Sequence, residues 1–209
     1  MLVQEVMHTN PITITPQTTL CDAYQLMHEK GIRHLPVMKD EQLVGVVTDR
    51  DLRLATSRLA KRPFDPKAQV REVMSHPVQT AYPNDPVEMT TQIMLEMKIG
   101  CMPVVEEAHL VGIVTSADLL AALLRLTGVH HPSGRLDIRM SDKPGELARL
   151  AQLLAERNIN IHSILTYTEG NLRARLVLRV NTMEIHALAQ HICDAGFEVL
   201  WPPHISCAE

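Results

Sequence analysis

The chain has 209 residues, 45% hydrophobic and 21% charged, with a formal net charge of −4 at pH 7. That is long and apolar enough for two ordinary domains, and too weakly charged for bulk disorder or indiscriminate attraction to nucleic acid or acidic lipid. The first seven residues lack a basic stretch followed by an apolar run. The longest apolar run, 117–126, is too short to span a bilayer and is broken by Asp118 and Arg125, so a soluble, cytoplasmic protein without a membrane partner is expected. Cys21, Cys101, Cys193 and Cys207 form no CxxC pair and no zinc-ligand spacing, which predicts buried or idle thiols in a reducing compartment and no metal.

In chain order, residues 11–15 alternate like a strand, and 18–30 carry Leu20, Tyr24 and Met27 at helical spacing before Gly31 stops the helix. Strands over 35–38 and 43–47 flank the polar residues 39–42, a hairpin connection, and Thr48 opens a second helix. The order then repeats: a strand over 78–81, a helix over 87–97, strands over 102–105 and 110–114, and a helix from 115 to about 126 that Gly128 stops. The repetition extends to single residues. Glu5-Val6-Met7 returns as Glu72-Val73-Met74, and Ile32 with Pro36-Val37 returns as Ile99 with Pro103-Val104. Gly45-Val-Val-Thr48-Asp-Arg-Asp51-Leu52 returns as Gly112-Ile-Val-Thr115-Ser-Ala-Asp118-Leu119. Two copies of a unit that cannot bury its own apolar face pack on each other and leave a cleft between them.

Residues 56–69, with Arg58, Lys61, Arg62 and Lys67, join the copies as a solvated linker, with an anion site as the other reading. A second linker contains His130-His131, which lacks a third metal ligand nearby. From residue 135 the pattern becomes βαββαβ: strand 135–140, helix 144–157 with Leu147, Leu150, Leu153 and Leu154 on one side, strands 159–167 and 173–180, helix 183–195 and strand 197–201. Ala174, Leu176, Leu178 and Val180 then face the helices, while Arg135, Arg139, Arg173, Arg175 and Arg179 face away. Those arginines suit a solvated sheet face or a surface for a partner or anion. The expected fold is α/β and α+β: repeats at 1–60 and 70–127, linkers at 61–69 and 128–134, and a ferredoxin-like unit at 135–205.

The repeated Gly-h-h-Thr-x-x-Asp, where h is apolar, lies where a strand enters a helix. Thr48 with Asp51, and Thr115 with Asp118, can be a capping box variant whose carboxylate complements the helix dipole. The same groups suit a nucleotide. Free N–H groups and a hydroxyl at a helix start fit a phosphate, and a carboxylate one turn in can accept from both ribose hydroxyls. Two occurrences facing each other across a repeat interface favour the nucleotide.

With these signatures in both copies, residues 1–127 resemble a tandem pair of cystathionine-β-synthase (CBS) domains. The resemblance implies a Bateman module whose two clefts bind adenosine-containing ligands. It implicates Thr48, Asp51, Thr115 and Asp118, together with Ile12, Thr13, Val78, Arg33 and His34. The copies are unequal, because Arg33-His34 and Arg50 become Gly100-Cys101 and Ala117. The cleft supplied by Arg33 and His34 is therefore expected to take the more highly phosphorylated ligands.

Asp142-Lys-Pro-Gly145-Glu-Leu147 and Asn158-Ile159-Asn160-Ile161 give residues 135–201 a resemblance to an ACT domain. Gly145 would let a ligand carboxylate approach the backbone at a helix start, which makes Asp142, Gly145, Asn158, Ile159 and Asn160 candidates for an amino-acid-like effector. The alternative is that Pro144 and Gly145 only shape a helix entrance in a domain that dimerises. The order of the modules, with Thr127-Gly128 and Trp201-Pro202, is similar to the acetoin-utilisation protein B family, which implies a regulatory role in acetoin catabolism.

No GxxxxGK[ST], HExxH, GxSxG or GxGxxG motif is present. The expected function is that of a non-catalytic sensor, with adenine nucleotide as regulatory ligand, no catalytic cofactor, and an unidentified protein partner as output. CBS pairs commonly form flat dimers and ACT sheets commonly pair, so the resemblance implies a homodimer. Two other readings stay open: a homodimeric scaffold in which the Thr-x-x-Asp pairs are only caps, and a DNA-associated regulator using the arginine face.

Overall fold

In the computed structural model, which describes residues 1–170, 172–203 and 205, the local signals act where the sequence puts them. A short strand β1 (His8–Thr9) precedes α1 (Leu20–Lys30), which begins at Thr19, whose hydroxyl accepts the Asp22 N–H at 3.1 Å, and ends on Gly31 at φ 64°. The hairpin β2 (His34–Lys39) and β3 (Gln42–Thr48) turns at Asp40-Glu41, both at positive φ, as its tight right-twisted connection requires. Helix α2 (Asp49–Thr56) follows. The second copy gives α3 (Val87–Met97), the hairpin β4 (Cys101–Glu106) and β5 (His109–Thr115), and α4 (Ser116–Leu126).

Two expectations need correction. Residues 11–15 and 78–81 are not strands; each meets its hairpin at one parallel bridge, Ile14 with Val37 and Ala81 with Val104. Prolines explain the limit. The next parallel hydrogen bond in one direction would come from the nitrogen of Pro36 or Pro103, and in the other from that of Pro16 or Pro83, and none carries a proton. In α1 the buried face is Leu20, Ala23 and Met27, leaving Tyr24 47% exposed, because Ala23 rather than Tyr24 shares the Leu20 stripe.

The cores do not follow the repeats. Val3, fully buried, belongs to the cluster of Ala81, Val87, Met94, Met102, Val104, Val114 and Leu119. Val70, equally buried, completes the cluster of Ile14, Leu20, Ala23, Met27, Leu35, Val37, Val47 and Leu52. Each leading segment thus packs into the other copy, anchored by backbone bonds such as Val3 N–H to Asp85 O at 2.9 Å and Val70 N–H to Thr18 O at 2.8 Å. This exchange explains the repeated Gly and Met. A Cβ on Gly45 would lie 2.5 Å from Met74 Sδ, and one on Gly112 would lie 2.7 Å from Met7 Sδ. A small cluster of Val46, Cys101 and Ile113, with Val78 against it, joins the copies.

Contacts divide the chain into Met1–Ala122 and Leu123–Glu209. The second unit contains β6 (Gly134–Ser141), α5 (Glu146–Glu156), β7 (Ile161–Glu169), β8 (Arg173–Val180), α6 (Ile185–Asp194) and β9 (Glu198–Trp201). Its sheet order, β7-β8-β6-β9, is the expected ferredoxin-like arrangement, with Leu136, Ile138, Leu176, Leu178, Leu150, Leu154 and Ile192 in the core. Leu147 is 43% exposed and lies off that core. On the other face Asp137 is buried. Arg135 Nε donates to its Oδ1 at 2.8 Å and Arg175 Nη2 to its Oδ2 at 3.1 Å, while Arg139 pairs with Glu169 and Glu198. Arg135, Arg139, Arg173 and Arg175 thus form an ion-paired network rather than a row of free cations, while Arg179 donates to the Ser133 hydroxyl.

Cys21 is a free exposed thiol and Cys101 a free buried one, whereas Cys193 is disulfide-bonded, which corrects the expectation of a buried or idle thiol at that position; Cys207 lies outside the described residues. Among the described residues no helix is long and apolar enough to cross a membrane.

Candidate nucleotide clefts

Both Thr-x-x-Asp segments form the capping arrangement. The N–H and hydroxyl of Thr48 donate to Asp51 Oδ2 at 2.9 and 2.7 Å, and the Asp51 N–H donates back to Thr48 Oγ1 at 3.2 Å. Thr115 and Asp118 repeat this at 2.8, 2.7 and 3.4 Å. A cap uses one carboxylate oxygen. Asp51 Oδ1 has no hydrogen-bond partner among the described residues, whereas Asp118 Oδ1 lies 2.9 Å from His8 Nε2. The first copy's cap therefore leaves a carboxylate oxygen open to a ligand, and in the second copy His8 occupies the corresponding oxygen.

Two cavities open beside these caps, both within the first unit. The larger, about 720 Å³, is lined by Thr48 and Asp51 from the first copy and by Val78, Gln79 and the run from Lys98 to Cys101 from the second. The smaller, about 360 Å³, reverses the donors, with Thr115 and Asp118 from the second copy and Ile12 and Gly31 to His34 from the first. Each cavity therefore joins the Thr/Asp pair of one repeat to the segment before Pro-Val of the other. Thr13 is exposed and lines neither.

Arg33 and His34 line both cavities, so they do not distinguish one from the other. What distinguishes the larger is Arg50 and Lys98, neither of which has an ion-pair partner among the described residues; Arg53 also lines it but is held by Asp49. Burial pushes the His34 imidazole below its ordinary value and Arg33 adds to this, while Asp51, Asp118 and Asp49 pull it back up. Burial, with Asp51, pushes the Cys101 thiol up to about 12, so it is a protonated wall group rather than a nucleophile.

The residues sequence reasoning missed here are Lys98, Ile99, Gly100, Cys101 and Gln79 in the larger cavity, and His8 in the smaller. The signal for the first group was available, since Gly100 and Cys101 occupy the repeat positions of Arg33 and His34. For His8 there was none, because its repeat counterpart is Ser75.

In the second unit Gly145 sits at φ 95° just before α5, and a Cβ there would meet nothing within 4 Å. The left-handed backbone, rather than close approach, accounts for this glycine. Asp142 and Asn160 are exposed, Asn158 is at φ 55°, and Ile159 packs against the core under the helices. Among the described residues no group of three or more His, Cys, Asp and Glu side chains is placed to hold a metal.

Residues 3–58 and 70–125 match the CBS domain model. The chain belongs to the CBS-domain family. Residues 133–201 match the TTHA0829-like ACT domain model, giving a tandem CBS pair followed by an ACT-like domain. CBS and ACT modules are regulatory units that sense nucleotides or other small molecules. Over 117 residues the chain is 34% identical to the CBS domain-containing protein YhcV of Bacillus subtilis, covering 56% of this chain and 81% of that one. A structure from Vibrio cholerae, described as an acetoin utilization protein, is 32% identical with a TM-score of 0.55, covering 62% of this chain and 96% of its own. The CBS pair of protein MJ0100, solved with 5′-methylthioadenosine and S-adenosyl-L-methionine, is 29% identical with a TM-score of 0.53, covering 59% and 95%. The chain spans 27% of the inosine-5′-monophosphate dehydrogenase of Thermoplasma acidophilum, to which it is 30% identical.

Proposed function

We propose that this protein is a non-catalytic cytoplasmic sensor that binds adenine nucleotide in the two clefts of its CBS pair. The observation that carries this reading is the division of labour at Asp51, where one carboxylate oxygen completes the helix cap and the other is left without a partner beside a cavity rich in cations. In this reading Asp51 and Asp118 accept from ribose, the helix starts and Thr48 and Thr115 hold phosphate, and Ile12 and Val78 flank the base. Arg50 and Lys98, which line only the larger cleft, fit it to a di- or triphosphate, while Arg33 and His34 serve both clefts. The smaller cleft, with His8 on its carboxylate, suits a nucleoside or monophosphate. The adenosine ligands of MJ0100 support the ligand class.

An amino-acid-like effector at Asp142, Gly145 and Asn158 to Asn160, a homodimer, a partner protein as output, and a link to acetoin-type carbon metabolism complete the proposal. The Vibrio cholerae likeness supports the last of these.

Calorimetric titration with AMP, ADP, ATP and S-adenosylmethionine tests the reading, using wild type, Asp51→Asn and Asp118→Asn. Asparagine keeps an oxygen for the cap and turns the other acceptor into a donor, so each variant should keep most of its stability and lose one site. Saturation at about 100 times the dissociation constant should raise wild-type stability by about 2.7 kcal/mol. If no ligand binds, or if the variants bind as wild type does, the clefts are not nucleotide sites.

A further inference from the structure

The two cavities share one titratable wall. His34 and Arg33 are the only described residues that line both of them. His34 gains this position because its repeat counterpart and that residue's neighbour leave room: Gly100 has no side chain, and His34 Nε2 stands 3.1 Å from where a Cβ on it would lie. The counterpart itself, Cys101, is turned into the small cluster that joins the copies. One imidazole therefore spans the pseudo-symmetric interface with nothing equivalent coming back.

The charges around that imidazole come from every side. Arg33 is its chain neighbour, and Asp49 and Asp51 approach from the first turn of α2, reached through Thr48, which pairs with His34 in the hairpin. Asp118 approaches from α4 and also holds His8. Arg50, Arg53 and Lys98 line the larger cavity, and the Cys101 thiol beside them stays uncharged to about 12. The carboxylates proposed to hold the two riboses thus both act on one ring whose neutral form burial favours.

We infer that His34 couples the two cavities: an anionic ligand entering either one draws a proton from the buffer onto the imidazole, and the resulting cation favours an anion in the other. The coupling rests on the nucleotide reading above, and it is reciprocal, since each occupant must strengthen the other by the same factor. A phosphate within a few ångströms of an imidazole raises its midpoint by about one unit, which corresponds to a change in affinity of up to about tenfold across the titration. Acidification should therefore strengthen phosphate binding through His34.

The test follows the His34 ring signal by NMR, assigned by its loss in His34→Gln, as a function of pH. Without ligand, Asp51→Asn and Asp118→Asn should each lower the midpoint, because each removes a negative charge from one cavity. With wild type, AMP should raise the midpoint by about one unit and adenosine should leave it unchanged. Calorimetry in two buffers of different ionisation enthalpy should register proton uptake with AMP that is reduced in His34→Gln; comparison with that variant removes the titration of the AMP phosphate itself.

A midpoint that answers to only one of the two asparagine variants, or to neither, overturns the coupling whatever binds. So does AMP that binds with measurable heat but leaves the ring unmoved, and in that case the nucleotide reading stands. If neither AMP nor ATP gives any heat, the nucleotide reading falls and the coupling falls with it. The AMP and adenosine comparison on wild type needs no variant to fold.

Discussion

At the residue scale, the same threonine and aspartate form the cap and leave room for the ligand role that sequence reasoning set against it. A cap needs one acceptor oxygen and a ribose needs another, and a carboxylate has both. The copies differ in what occupies the second oxygen. His8, 70% exposed in its side chain, bonds Asp118, which is 13% exposed, so a ligand reaching that carboxylate must displace it. His8→Ala should therefore tighten AMP at the smaller cleft while leaving the larger one unchanged. Calorimetry in the Asp51→Asn background isolates the smaller site, and affinity equal to or weaker than that with His8 present would mean that His8 contacts the ligand instead.

Two predictions belong to single elements. Helix α1 ends on Gly31 at φ 64°, where a Cβ would meet no atom within 4 Å, so only backbone strain opposes a side chain there. Gly31→Ala should cost about 1 kcal/mol, measured by urea unfolding. The analogous helix α3 ends on Lys98 at φ 56° and already bears that strain in exchange for a cation in the larger cavity.

In the second unit, burial works to raise the carboxyl of Asp137, but hydrogen bonds and charge from Arg135 and Arg175 outweigh it and hold the group below the usual carboxylate range. A folded value below the unfolded one contributes stability above the unfolded value of about 3.9, and that contribution is lost as pH falls through the folded value. Asp137→Asn should cost about 1–3 kcal/mol at neutral pH by leaving charged donors unpaired, and it should flatten the acid limb of a Tm against pH profile. An acid limb unchanged in the variant would assign acid sensitivity to other carboxylates.

At the scale of the whole molecule, the exchange of leading segments decides which parts unfold together. Val3→Ala leaves a hole among Ala81, Met94 and Leu119, not in the copy that contains it, and should cost about 1.5–3 kcal/mol. Hydrogen exchange should then accelerate in α3 and the β4–β5 hairpin more than in α1 and the β2–β3 hairpin, and Val70→Ala should do the reverse. Acceleration confined to the copy carrying the substitution would contradict the exchanged cores. The same exchange assembles the clefts, since it brings β1 beside β5, where His8 pairs with Ile113, and sets His8 on Asp118.

The sequence alone determined the helices, the hairpins and the Thr-x-x-Asp part of the candidate site. Helix spacing, the Gly31 stop, the polar hairpin turns and the doubled Gly-h-h-Thr-x-x-Asp are local signals, each set by a few neighbouring backbone groups, and the third segment's alternation revealed its ferredoxin-like order. The prolines that reduced two expected strands to single bridges were equally visible, but their effect depends on a parallel partner elsewhere in the chain. Only the tertiary structure decided that each leading segment completes the other copy's core, that Met7 and Met74 require Gly112 and Gly45, and that each cavity takes residues from both repeats. It also placed His34 on both walls and His8 on Asp118. These pairings join residues far apart in the chain, and repetition in a sequence shows that two units pack without showing which segment crosses between them.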